Sequence, residues 1–159
     1  MTVADLRLRP VTRAEFDRWL PRLEAGYAEH IDGSGAMSAA EAREKARRDT
    51  AQLFSAGLET AGQVVFRVLA AGVAVGWLWL AVPGPGGDPL MAWVYSIEVE
   101  PEHRGRGYGR AAMLLAEAEA RSRGMTSLGL NVHGQNTVAR ALYDSLGYEV
   151  MALQMKKPL

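Results

Sequence analysis

A chain of 159 residues with 18 basic and 18 acidic side chains carries no net formal charge, so no global field draws it to nucleic acid or to anionic lipid. Its length suits one domain, residues 1–159, built around one core. With no cysteine there is no disulfide, thiolate metal site or cysteine nucleophile, and three scattered histidines do not make up the deficit, so no metal is expected.

The first ten residues carry charges where a signal peptide needs apolar side chains, so a cytoplasmic protein is expected. Leu6 and Leu8 alternate ahead of Pro10, as in an opening strand. Thr12 and Glu15 then form a capping box before Phe16, Trp19, Leu20 and Leu23, which recur at helical spacing; Pro21 is able to kink or divide that helix. A loop at 31–37 leads to a second capping box, Ser38 with Glu41, and to a charge-rich helix with a solvated face that should stop near Gly57.

From Gln63 to Val82 the chain becomes β-branched and aromatic, with Ala71-Gly72 placed as the turn of a hairpin and Trp77 and Trp79 on one face of it. The uncharged run Val68–Val82 is shorter than the ~20 residues of a membrane helix, so no membrane partner is expected. Strands apolar on both faces imply a sheet covered by helices on each side. A proline- and glycine-rich loop precedes a further strand over 90–99.

Gly105, Gly107 and Gly109 stand between that strand and a helix that should bury Ala111, Leu114, Leu115 and Ala118, expose Glu117 and Arg121, and stop at Gly124. A strand over 127–132, a helix from Asn136 to Leu146 and a last strand from Tyr148 complete the order. Amides at a helix start lack partners, glycine lets backbone approach an oxyanion closely, and Arg104, Arg106 and Arg110 add charge. A phosphorylated cofactor fits such a turn. No Gly-Lys-Ser/Thr follows and the spacing is not that of the dinucleotide fingerprint, so both familiar phosphate loops are excluded. His103, within the same stretch, reads as a solvent-facing charge.

The stretch "VEPEHRGRGYG" fills the pattern Arg/Gln-x-x-Gly-x-Gly/Ala with Arg104, Gly107 and Gly109, and "NVHGQNTVARALYDSLGY" places Asn136, Ala139, Tyr143 and Gly147 in a second pattern further on. In both, and closely over residues 93–150, the chain resembles the GNAT superfamily of N-acetyltransferases. The resemblance implies an α/β fold of the α+β type: a mixed central sheet of six to seven strands, flanked by about four helices and splayed between the fourth and fifth strands. It also implies an acetyl-CoA-dependent enzyme that acetylates a primary amine of a small molecule or peptide, through direct attack and a tetrahedral intermediate.

The resemblance places the coenzyme's pyrophosphate on Arg104, Gly105, Arg106, Gly107, Tyr108, Gly109 and Arg110, and lays its pantetheine arm along the main chain at Ile97 and Val99 as an added strand. Asn136 is implied near the cofactor, though as a helix N-cap it has a structural reason to be there. Tyr143 is implied as the general acid toward the sulfur, and an amide near Val99 as the oxyanion donor. The nearest carboxylate for a general base is Glu98; Trp93 and Asn131 stand where some relatives carry a glutamate, so water relayed by backbone or Ser96 is the alternative. Glu29 and Asp32 are leads for an acceptor ammonium, the early end after Gly147 points to an open acceptor cleft, and look-alikes are commonly homodimers. Two other readings compete: a CoA-binding sensor or recruitment module without turnover, and an arginine-glycine contact to nucleic acid, which the charge balance opposes.

Overall fold

Thr12 and Glu15 cap the first helix reciprocally: the Thr12 amide donates to Glu15 Oε2 at 2.8 Å and the Glu15 amide to Thr12 Oγ1 at 3.2 Å. From this box α1 (Arg13–Asp32) runs as one helix through Pro21. The computed structural model describes residues 5–32 and 37–159; of the loop expected at 31–37, residues 31 and 32 belong to α1, while 33–36 and the Asp32 side chain lie outside the described residues. In the preceding strand, β1 (Leu6–Pro10), Arg9 Nη2 donates to Glu15 Oε1 at 2.7 Å, and this bond leads the causes that hold the Glu15 carboxyl at a pKa of about 2.

The pH dependence follows from that shift. A carboxyl titrating at about 2 when folded and near 4.5 otherwise contributes stability that is full above the unfolded value and is lost as pH falls through the folded one. Glu15→Gln should narrow the stability gap to the parent as pH drops from neutral toward 2, by about 1 kcal/mol once screening at the half-exposed Arg9 is allowed for. Denaturant titrations at neutral pH and in acid measure it; a gap independent of pH would contradict the assignment.

Ser38 and Glu41 close the second box as expected and open α2 (Ala39–Leu53), which a short 3-10 turn, Gly57–Glu59, follows. Ala42, Ala46 and Thr50 recur every four residues and are buried, with Ala42 and Ala46 packed on Ala28 of α1, while the charged positions between them face water. The helix is therefore a solvated face backed by a small-residue seam.

The hairpin forms as read: β2 (Gln63–Ala70) and β3 (Val73–Ala81) pair antiparallel, and Ala71 and Gly72 both take positive φ at the turn. Trp77 and Trp79 share the face that meets α1 and α2. Trp77 stacks on Trp19 at 6.0 Å between centroids, Trp79 meets Trp19 edge-on at 5.8 Å, and Phe54 approaches Trp79 at 4.7 Å. This aromatic cluster, closed by Phe16, Val11 and Val65, is the core on that side. The opposite face carries Leu78 and Leu80, both fully buried, and α3 (Tyr108–Ser122) packs against the sheet there.

The strands lie in the order β1-β2-β3-β4-β5, with β4 (Met91–Val99) antiparallel to β3 and β5 (Ser127–Leu130) beside β4. The crossover through α3 brings β5 back in the direction of β4, so the sheet is mixed. Gly76 pairs with Val99, and a Cβ there would run into the Glu98 carbonyl, so glycine permits the close approach of β3 to the end of β4.

Three expectations need correction. Five strands are present among the described residues, not six to seven, because the strand expected from Tyr148 does not form and residues 148–159 enter no ladder; Val150 is 63% and Met151 92% exposed. Apolar alternation marks a face but supplies no partner edge. The strand read over 127–132 ends at Leu130. In α3 the buried stripe is Tyr108, Ala112, Ala116 and Ala120 with Ala111 and Met113, whereas Leu114 is 50% exposed and Ala118 faces water. Apolar residues fill nearly every position from Ala111 to Ala116, so periodicity leaves the face open, and the small side chains are the ones that allow close packing on the sheet.

Contacts divide the chain into two compact units, Met1–Gly129 and Leu130–Leu159. The second holds α4 (Thr137–Ser145), capped by Asn136 and ended by Leu146, within a residue of the expected bounds. No helix among the described residues is long and apolar enough to cross a membrane.

Candidate functional site

The turn between β4 and α3 is built from its backbone outward. Glu100 starts a 3-10 turn, Pro101–His103, and two glycines with positive φ follow, Gly105 at 72° and Gly107 at 79°. Gly107 is the N-cap of α3 and offers no side chain to the helix, so the amides of Gly107, Tyr108 and Gly109 have no acceptor among the described residues. The first intrahelical bond of the turn is Ala111 N–H to Gly107 O at 3.2 Å. Consecutive unpaired amides and the positive end of the helix dipole give this turn an anion-binding character of its own.

The arginines do not all project freely. Arg104 Nε donates to the Val99 carbonyl at 3.0 Å and Arg106 Nη2 to the Glu102 carbonyl at 3.3 Å, so both side chains brace the turn and lend it charge rather than extend away. Tyr108 is buried beneath the turn, at 2% exposure, and Arg110 is exposed on the first turn of α3. His103 is partly exposed, not wholly solvent-facing: its Nδ1 is shut off from solvent and has no hydrogen-bond partner among the described residues.

Along β4 the register assigns faces. Glu98 stands opposite Trp77 and Ser96 opposite Trp79, on the α1 side; Ile97 stands opposite Leu78, on the α3 side. A bulge at Tyr95, between the pairs Trp79–Ser96 and Leu80–Val94, turns its ring onto Trp79 at 4.5 Å, and burial pushes the hydroxyl's pKa up. β5 has four residues against nine in β4, so it cannot ladder the whole of that edge.

Glu98 is not a free carboxylate. Arg22 of α1 donates to Glu98 Oε1 at 3.0 Å and reaches Glu100 Oε2 at 3.4 Å. Arg67 of β2 lies 3.4 Å from Glu100 Oε1, and Trp77 Nε1 donates to the same oxygen at 3.0 Å. Sequence reading missed Arg22, Arg67 and Glu100 as a group. Their partners are 23 to 78 residues apart, so no local spacing announces them.

In the second unit, Asn136 is confirmed as a cap, accepting from the Ala139 amide at 3.1 Å. Tyr143 lies two turns on, half-buried with Leu142 and Leu146, and its ring faces Tyr148 at 5.7 Å. Burial raises its pKa above the ordinary phenolic value, and its hydroxyl has no hydrogen-bond partner among the described residues.

The acetyltransferase (GNAT) family model matches residues 30–148. No curated protein matches the chain. Among solved structures, the chain is similar to Bacillus subtilis YycN, described there as a candidate acetyltransferase, at 28% identity and a TM-score of 0.88 over 97% of this chain and 98% of that one. It is similar to a candidate acetyl transferase from Pyrococcus furiosus at 25% identity and a TM-score of 0.65, covering 97% and 99%. At 16% identity, the aminoglycoside acetyltransferase AAC(6')-Iy, solved with the bisubstrate analogue CoA-S-monomethyl-acetylneamine, shares the fold with a TM-score of 0.63 over 97% of each chain.

Proposed function

The chain belongs to the acetyltransferase (GNAT) family, and on that premise we propose that residues 1–159 act as one acetyl-CoA-dependent N-acetyltransferase domain whose acceptor is a primary amine of a small molecule or peptide. The observation that carries the reading is the run of amides at Gly107, Tyr108 and Gly109 that have no acceptor among the described residues, with left-handed backbone at Gly105 and Gly107, a cradle that fits a diphosphate. Gly105 and the charges of Arg104, Arg106 and Arg110 belong to the same cradle. The coenzyme, when bound, supplies an activated thioester that an amine attacks directly.

Each residue then has a task. Ile97 and Val99 offer main-chain groups on an edge of β4 that β5 is too short to fill, which supports the splay there and a strand-like seat for the pantetheine arm. The Val99 carbonyl already accepts from Arg104, leaving its amide as the oxyanion donor. Tyr143, still protonated at neutral pH, donates toward the leaving thiolate, and Asn136 orders the start of its helix. Glu98, paired with Arg22, serves as base only by way of that pair; a water held by Ser96 and the backbone is the alternative. The aminoglycoside-derived analogue bound to a neighbour of the same fold supports a small-molecule amine as acceptor.

The test is release of CoA thiol from acetyl-CoA across aminoglycosides, polyamines, amino acids and peptides, beside calorimetric CoA binding. Binding with turnover on one amine class is the expected result. Failure of CoA to bind would remove the proposal, and binding without any acceptor would replace it with a sensor.

A further inference from the structure

Glu100 is the residue at which β4 ends and the coenzyme turn begins, and its carboxylate points back into the protein. Its side chain is 15% exposed and that of Arg67 11%, an unusual degree of burial for two opposite charges. Arg67 Cζ also sits 3.9 Å from the centroid of the Trp77 ring, whose Nε1 donates to Glu100. The Glu100 amide donates to the Val75 carbonyl at 2.9 Å, and the His103 amide to the Glu100 carbonyl at 2.9 Å. Backbone and side chain of one residue thus anchor the entrance of the turn to α1, β2 and β3 together.

A buried ion pair is weak support for stability, since apolar side chains of the same volume commonly do as well. What it supplies is direction. Two donors from different strands and one from a helix leave Glu100 a single orientation, and the turn that follows inherits it. Burial pushes the Glu100 carboxyl up, but the bonds from Arg22, Trp77 and Arg67 and the charge of Arg22 outweigh it and favour the ionised group.

We infer that Glu100, held by Arg67 and Trp77, is a positioning residue that aims the amides of Gly107 to Gly109 at the coenzyme's diphosphate. The inference rests on the acetyl-CoA reading above. It assigns Glu100 no contact with the coenzyme, because its carboxylate faces the opposite way, toward the strands.

The test uses the full chain, CoA as the probe, and three variants: Glu100→Gln, Arg67→Met, and the two combined. Glu100→Gln leaves the buried Arg67 without its carboxylate, and Arg67→Met leaves Glu100 with Arg22 and Trp77 alone, so both should lower the unfolding temperature, the first by more. Both should also weaken CoA binding by about tenfold, part of the value of one charge-assisted hydrogen bond. The combined variant leaves neither charge unpaired and should recover stability while CoA binding stays weak. Affinity returning together with stability in the combined variant would show a structural role only and overturn the inference. Unchanged CoA affinity in Glu100→Gln would do so too. A parent chain that fails to bind CoA would remove the acetyl-CoA reading and this inference with it, whereas a binding parent beside unaffected variants removes this inference alone.

Discussion

Tyr143→Phe should lower turnover by about a hundredfold or more, the range of a lost general acid, and leave the dissociation constant of CoA within about twofold of the parent. The change removes one oxygen. Its hydroxyl holds no partner among the described residues, the ring contact with Tyr148 at 5.7 Å survives in phenylalanine, and the Tyr148 amide still donates to the backbone carbonyl at 143. Stability should therefore hold. Desolvation raises the hydroxyl's pKa from its ordinary value, so the proton stays in place through neutral and mildly basic pH, where an aqueous thiol of pKa about 8.5 is already leaving as thiolate. It follows that the parent's turnover should show no loss from Tyr143 ionisation below the ordinary phenolic range, since a raised pKa keeps the donor form to higher pH. Stopped assays at saturating acetyl-CoA, paired with calorimetry, read both quantities. Turnover equal to the parent's would hand the proton to water, and a fall in affinity as large as the fall in turnover would make Tyr143 a binding residue.

Local chemistry was legible wherever a short stretch decides its own conformation. Both capping boxes, the Ala71-Gly72 turn and the Asn136 cap are set by residues within four positions of one another, and the structure keeps each of them. The glycine turn ahead of α3 was legible for the same reason: its glycines and the following helix are contiguous. Face and partner were less so. α3 is apolar at so many positions that only the sheet beneath it selects Ala112 and Ala116 over Leu114, and the sheet is not in the helix's sequence. The same holds for Glu98, whose alternation with Ile97 and Val99 is plain but whose side was fixed only by the register that places it opposite Trp77 and next to Arg22. At His103 one ring nitrogen, Nδ1, is shut off from solvent within the 3-10 turn, which a polar residue in a charged stretch does not announce.

Gly107→Val and Gly72→Val form a pair whose difference isolates the anion cradle. Both glycines hold left-handed backbone, at φ of 79° and 83°, a conformation that costs an ordinary residue roughly 1–2 kcal/mol and a β-branched one more. Gly72 lies at the tip of the β2-β3 hairpin, where a Cβ would meet nothing within 4 Å, so its substitution should lower stability through the backbone alone. Gly107 caps α3 and its own amide is one of the three that have no acceptor among the described residues. Valine there pulls the cap toward extended backbone and swings those amides off a common target. Losing one hydrogen bond to a charged partner is worth about 1.5–3 kcal/mol, so CoA affinity should fall roughly ten- to a hundredfold in Gly107→Val. Gly72→Val should lose a similar few degrees of unfolding temperature, about 2–4 °C per kcal/mol at this size, with CoA affinity intact. Equal loss of affinity in both variants would trace the effect to general destabilisation. Intact affinity in Gly107→Val would mean that the coenzyme's charge is met elsewhere, and the amides at the head of α3 would lose their role.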